Sequence, residues 1–199
     1  MSDMMESFNA RCISTLEEKG FASTDALVFG EGESDSPRIL LIGEAPGEQE
    51  TLQKRPFVGK AGKNLDEFLA VVGLNRPELW ITNVVKIRPT KCSEKGRLSN
   101  RPPNREELAL FTPFLYEELL LLKPRLIVTL GNTPLKALLG KGALIGDHHG
   151  SMTQAIITHG AEQCAFPVYP LYHPASIIYN RSLKDVYLRD LENLRSLLG

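Results

Sequence analysis

Apolar residues in this chain fall into two kinds of run. Four are short and nearly unbroken, at Arg38–Ile42, Leu79–Val85, Arg125–Leu130 and Phe166–Leu171, and each gives way to a polar segment. Such runs, bounded by turn residues, predict strands buried on both faces. Others recur at helical spacing: Leu65, Phe68, Leu69 and Val72 share one side of a predicted helix over 61–72. Further helices are predicted over 6–20, from 104 to about 122, over 133–139 and from 182 onward. Asn104 with Glu107 resembles a capping box, Thr133 is placed to cap a helix that Pro134 begins, and Ser182 with Asp185 opens the last helix. The remainder reads as connection. Residues 21–37 form a loop or edge hairpin, 87–103 a long basic loop, and 141–165 loops with a weak strand near 155–158. Strands alternating with helices predict an α/β fold: a single-domain sandwich over residues 1–199, with a central, mostly parallel four-stranded sheet flanked by helices.

In such a sheet, ligands bind outside the carboxyl ends of the strands. Four polar motifs stand at those ends: Gly43-Glu44-Ala45-Pro46-Gly47, Asn83-Val84-Val85-Lys86, Gly131-Asn132-Thr133-Pro134 and His173-Pro174-Ala175. They are expected to meet in one pocket. A fifth segment, Arg55-Pro56-Phe57-Val58-Gly59, can lay an aromatic ring beside the first.

Charge adds a partner class. The chain is nearly neutral, at −1, yet the segment 86–105 holds seven basic residues against Glu94 alone: Lys86, Arg88, Lys91, Lys95, Arg97, Arg101 and Arg105. Lys54, Arg55, Lys60 and Lys63 form a second cluster with no acid between its ends. Both flank the expected pocket, and local positive fields suit a phosphate backbone; the alternative is a pair of solvated loops. Cys12, Cys92 and Cys164 are far apart and form no C-x-x-C pair, which disfavours a cysteine-based zinc or iron–sulfur site. With no basic leader and no apolar stretch of about 20 residues, a soluble, cytoplasmic protein without membrane contact is expected.

The segments GEAPGEQE (43–50), RPFVGKAG (55–62), NVVKIRP (83–89), NR-x-P (100–103), LGNTPLKALLG (130–140) and HPASII (173–178), in this order, resemble the uracil-DNA glycosylase superfamily, closest to its family 4. The resemblance covers 39–194 and implies a monofunctional enzyme that hydrolyses the N-glycosidic bond of uracil in DNA, with no metal in the chemistry and no lyase step. Uracil-containing DNA, single- or double-stranded, is the implied partner, and the chain is expected to act as a monomer.

On that resemblance the residues acquire roles. Phe57 offers a face on which a flipped base can stack; the alternative is a core aromatic. Asn83 carries an acceptor and a donor that match uracil N3–H and O4; the alternative is a bond to loop backbone. His173 can donate to uracil O2 as charge gathers on the departing base; a histidine before proline is otherwise often a satisfied turn residue. His148 and His149 lack this setting and are read as an exposed turn. Glu44 matches a position near the attacking water or sugar. Ala45 stands where family-1 relatives have an aspartate, so water activation rests on Glu44 or Glu50, and Glu50 also matches an acid bordering the C5 edge of the base. The backbone from Ala45 through Pro46 to Gly47 can offer N–H groups to the base. Lys54, Arg55, Lys86, Arg88, Lys91, Lys95, Arg97, Asn100 and Arg101 are the expected DNA contacts.

Two departures accompany the likeness. Family 4 carries four cluster cysteines, but here the N-terminal pair is absent, and Ile87 and Phe111 stand at the third and fourth positions; no cofactor is expected. The insert 91–99 has the length found in a covalent uracil-DNA-binding branch, where a histidine attacks the sugar. Asn100 aligns there, and an amide does not trap the sugar, so turnover is expected. Rival readings are a glycosylase for hypoxanthine or xanthine, and a catalytically inactive uracil-DNA-binding protein. A nucleotide-binding α/β enzyme lacks its G-x-G-x-x-G or P-loop support.

Overall fold

The computed structural model describes residues 2–20, 26–179 and 182–199; the 21–25 part of the loop expected over 21–37 lies outside the described residues. The first half contains α1 (Ser2–Glu18), β1 (Glu31–Gly32), β2 (Ile39–Gly43), α2 (Glu48–Gln53), α3 (Lys60–Val72), β3 (Leu79–Asn83), β4 (Thr90–Cys92) and β5 (Leu98–Asn100). The second contains α4 (Arg105–Leu122), β6 (Ile127–Leu130), α5 (Asn132–Leu139), α6 (Ile145–His148), β7 (Thr153–His159), β8 (Glu162–Leu171), α7 (Pro174–Tyr179) and α8 (Leu183–Leu198).

The central sheet runs β1-β3-β2-β6-β8-β7. Its middle four strands are parallel and are those the apolar runs predicted. The expected count of four is corrected to six by antiparallel edge strands β1 and β7. β1 is two residues long, too short for periodicity to mark. Along β7 only Ala155 and Ile157 are buried, the alternation of a strand with one wet face.

Every residue of β2, β3 and β6 is buried, which is why they read as unbroken apolar runs. Alternation still decides what each side chain meets. Leu40 and Ile42 join a core with α1 and α4, including Phe8, Phe111 and Leu115. Ile39 and Leu41 join the core on the opposite face, with Phe68 of α3 and Leu191 of α8. The sheet is thus covered on both sides, and only strand ends and edges remain for chemistry.

Helix ends follow local chemistry. At α4, Asn104 Oδ1 accepts the Glu107 N–H at 2.8 Å while Glu107 returns a carboxylate to the Asn104 N–H at 2.7 Å, the expected capping box. The expected Thr133 cap is corrected: Gly131 occupies the cap position of α5, at φ 90°. A glycine there lets the chain turn sharply off β6. The loop expected over 87–103 contains the β4–β5 hairpin, whose residues 91–100 are all exposed.

Candidate active site

Parallel register brings the first two motifs together. Gly43 pairs with Asn83 at the ends of β2 and β3, and Leu130 with Leu171 at the ends of β6 and β8. The chain leaves the sheet at a common level four times. The space above is a cleft of about 660 Å³ lined by residues of all four motifs, by Phe57, and by Pro89, Asn100 and Arg101 from the base of the hairpin.

Gly43 is where the walls of the cleft meet. A Cβ there would come within 2.3 Å of Asn83 Oδ1 and 2.5 Å of Phe57 Cζ, so the ring and the carboxamide converge on the space a side chain would fill. Asn83 is 3% exposed and Phe57 4%. The Asn83 side chain lines the cleft, and among the described residues no hydrogen bond engages its carboxamide. Phe57 sits at φ 53°, a left-handed conformation that costs a non-glycine residue on the order of 1 kcal/mol. Two features hold it. Arg76 donates to the Phe57 carbonyl at 2.6 Å, and Gly62 lets that carbonyl approach to 1.9 Å from where a Cβ would stand. Arg76 is itself fixed by Asp66 at 2.6 Å. No sequence signal marked Arg76, because it acts through a fold over 19 residues.

His173 stands opposite, its ring roughly parallel to Phe57 at a centroid distance of 6.4 Å. Its Nδ1 accepts the Ala175 N–H at 3.1 Å. The neutral ring therefore carries its proton on Nε2, free to donate. Burial lowers its pKa below the ordinary histidine value and keeps it neutral. Glu44 accepts a hydrogen bond from the Thr133 hydroxyl through Oε2. That bond, spanning 89 residues, is what Thr133 does in place of capping.

Glu50 lines the cleft, as expected, and also joins its segments. Its Oε1 accepts the Gly59 N–H at 2.7 Å and its Oε2 the Gly47 N–H at 3.1 Å, in an 8% exposed setting. Both oxygens are occupied in joining the first motif to the Phe57 segment. Glu50 thereby braces the cleft wall.

Lys86 is the clearest correction. Expected on DNA phosphates, it is 1% exposed and forms a buried ion pair with Glu118 at 2.7 Å. Other cations are partly spoken for: Arg55 pairs with Glu31, Arg88 with Glu48 and Arg101 with Glu107, while Asn100 accepts from Arg88 Nε at 2.7 Å. Lys54, Lys91, Lys95 and Arg97 are exposed. His149 is also corrected: half-buried, it meets Asp190 at 2.7 Å and packs on Tyr172.

The residues do not fit an iron–sulfur cluster. Phe111 and Ile87, where family 4 has cysteines, pack in one apolar core with Met5, Phe8 and Cys12. Burial pushes the Cys12 thiol up to about 12, far from the thiolate a metal requires. Cys92 and Cys164 lie on β4 and β8. Among the described residues no group of three or more His, Cys, Asp or Glu is placed to hold a metal ion, and no helix is long and apolar enough to cross a membrane.

Comparison with known proteins gives a consistent set of likenesses. The family model for the uracil DNA glycosylase superfamily matches residues 29–193. A type-4 uracil-DNA glycosylase of Sulfurisphaera tokodaii is 33% identical over 98% of this chain and 85% of its own length. One from Pyrobaculum aerophilum is 39% identical over 82% of this chain and 79% of its own. Among solved structures, SMUG2 of Pedobacter heparinus is similar in fold, with a TM-score of 0.55 at 16% identity over 81% of this chain and 76% of that one.

Proposed function

The chain belongs to the uracil DNA glycosylase superfamily, and from that premise we propose that it hydrolyses the N-glycosidic bond of uracil in DNA, the first step of base-excision repair. The observation that carries this reading is the convergence of Phe57, Asn83 and His173 on one cleft, with the Asn83 carboxamide unengaged among the described residues. In this reading a flipped uracil stacks on Phe57. Asn83 accepts from N3–H and donates to O4, and backbone of the segment 45–47 borders the base. His173 Nε2–H faces O2. As the C1′–N1 bond breaks, its electron pair passes to the uracil ring and gathers on N1 and O2. A neutral donor in a dry site stabilises that charge, commonly a large catalytic term. Water then attacks C1′, oriented by the Glu44 oxygen that Thr133 leaves free, and yields its proton to that carboxylate or to solvent.

The exposed hairpin cations Lys91, Lys95 and Arg97, with Lys54, bind phosphates in this reading; Arg101 lines the cleft while paired with Glu107, and Arg55 and Arg88 are paired with Glu31 and Glu48. Lys60 borders the cleft at the exposed start of α3. The enzyme is monofunctional in this proposal, with no lyase step. It works as a monomer in the cytoplasm, one glycosylase unit over residues 1–199, on single- or double-stranded DNA. A cleavage panel tests the reading: oligonucleotides bearing uracil, hypoxanthine, xanthine or a thymine mismatch, with borohydride trapping alongside. Abasic product from uracil without a trapped adduct is expected. No product from uracil, or product from a purine only, overturns it.

A further inference from the structure

Beneath the floor of the cleft lies an ionic network that the chemistry above leaves unused. Lys86 Nζ donates to Thr82 Oγ1 at 2.6 Å, to Glu118 Oε2 at 2.7 Å and to the Asn83 backbone carbonyl at 2.9 Å. All three ammonium hydrogens are thereby used. Glu118, fully buried, also accepts the Trp80 indole N–H at 2.8 Å and the Thr82 hydroxyl at 3.2 Å. Burying two charges is costly, and apolar residues of similar size would often serve stability as well or better. What sets this pair apart is its target.

Trp80 and Thr82 lie two apart on β3 and point to one face of the sheet, whereas Asn83 points to the other, toward Phe57. The network therefore grips β3 from behind while the carboxamide projects into the cleft. The turn that follows is tied to the first motif by Val84 N–H to the Gly43 carbonyl at 3.0 Å and Val85 N–H to the Glu44 carbonyl at 3.1 Å. The Asn83 carbonyl has left its ladder at the strand end, and Lys86 supplies a donor for it.

We infer that Lys86, with Glu118 as its counter-ion, is a positioning residue for Asn83, holding the strand-end backbone so that the carboxamide meets the uracil edge. This rests on the reading of Asn83 as the residue that reads the base. The test is the double variant Lys86→Met with Glu118→Gln. Glutamine can still accept from Trp80, and its amide can donate to Thr82, so the links from α4 to β3 persist while the donor to the Asn83 carbonyl is lost. Lys86→Met alone strands a buried carboxylate and should melt lower; the added Glu118→Gln should restore the melting temperature toward wild type.

In the folded double variant, single-turnover uracil excision is expected to fall roughly ten- to hundredfold, the range for a misplaced reactive group. Inhibition by free uracil should weaken in parallel, while affinity for uracil-free DNA and its salt dependence stay unchanged. Excision at the wild-type rate in a folded double variant overturns the inference. So does a shallower salt slope, which would make Lys86 a phosphate ligand. An active wild type beside an unimpaired double variant overturns this inference alone, whereas a wild type that releases no uracil overturns the glycosylase reading and this one with it.

Discussion

Replacing Gly43 with alanine should disable the cleft while leaving the fold in place. Gly43 is not among the residues with positive φ, so its backbone accepts a side chain. The obstacle is the space: the new Cβ would lie 2.3 Å from Asn83 Oδ1, 2.5 Å from Phe57 Cζ and 2.8 Å from Phe57 Cε2. Carbon atoms pack comfortably at about 3.5–4.0 Å, so both groups must retreat by roughly 1 Å. Neither retreat is easy, since both residues are buried and the Phe57 backbone is held by Arg76 and Gly62. Overpacking of this kind costs about 1–3 kcal/mol of stability, a fall of a few to about 10 °C in melting temperature for a chain of this size. A displacement of about 1 Å at a reacting site can cost on the order of 100-fold in rate, or about 2.7 kcal/mol of barrier. The assay is single-turnover release of uracil with enzyme in excess, well below the melting transition, with binding to uracil-free DNA measured alongside. DNA binding should survive because the phosphate-binding cations are untouched. A folded Gly43→Ala variant that excises at the wild-type rate refutes the claim that Phe57 and Asn83 form the base pocket.

Three further outcomes follow from the same geometry. Neutralising Lys91, Lys95 and Arg97 together should weaken DNA binding and flatten its logarithmic salt dependence by about 0.9 for each phosphate left without its cation; an unchanged slope would leave the hairpin facing solvent. Burial lowers the His173 pKa, so the unfolded chain takes up this proton first. The residue's contribution to stability is full above about pH 6.5 and is lost as pH falls from there toward the lowered folded value. The stability of wild type relative to His173→Gln, read from melting curves, should accordingly fall as the solution is acidified below about pH 6.5, and a pH-independent difference would refute the lowered pKa. Metal analysis of the purified protein should find no stoichiometric iron, because Phe111 and Ile87 are packed in the core where ligands would be required; iron with a sulfide-type visible band would refute that.

Local pattern was enough to read most of the scaffold. β2, β3 and β6 are buried on both faces, so their apolar runs stood out, and the Asn104–Glu107 box spans only three residues. The site was legible in outline for the same reason: parallel strands end at one level, so motifs at their carboxyl ends had to meet. What escaped were the partners. By spacing alone Lys86 belongs with the other six cations of 86–105, yet it points inward because Glu118, 32 residues away on α4, supplies its counter-charge there. The sequence neighbours of Thr133 predict a cap, and it turns instead to Glu44, 89 residues away. Nothing in the sequence links Glu50 to Gly59, whose N–H the turn brings to its carboxylate. Residue type and spacing determine which elements form and which face of each is apolar. Which way a charged or hydroxylated side chain turns depends on the acceptor that packing delivers to it, and that is decided only when distant segments close on one another.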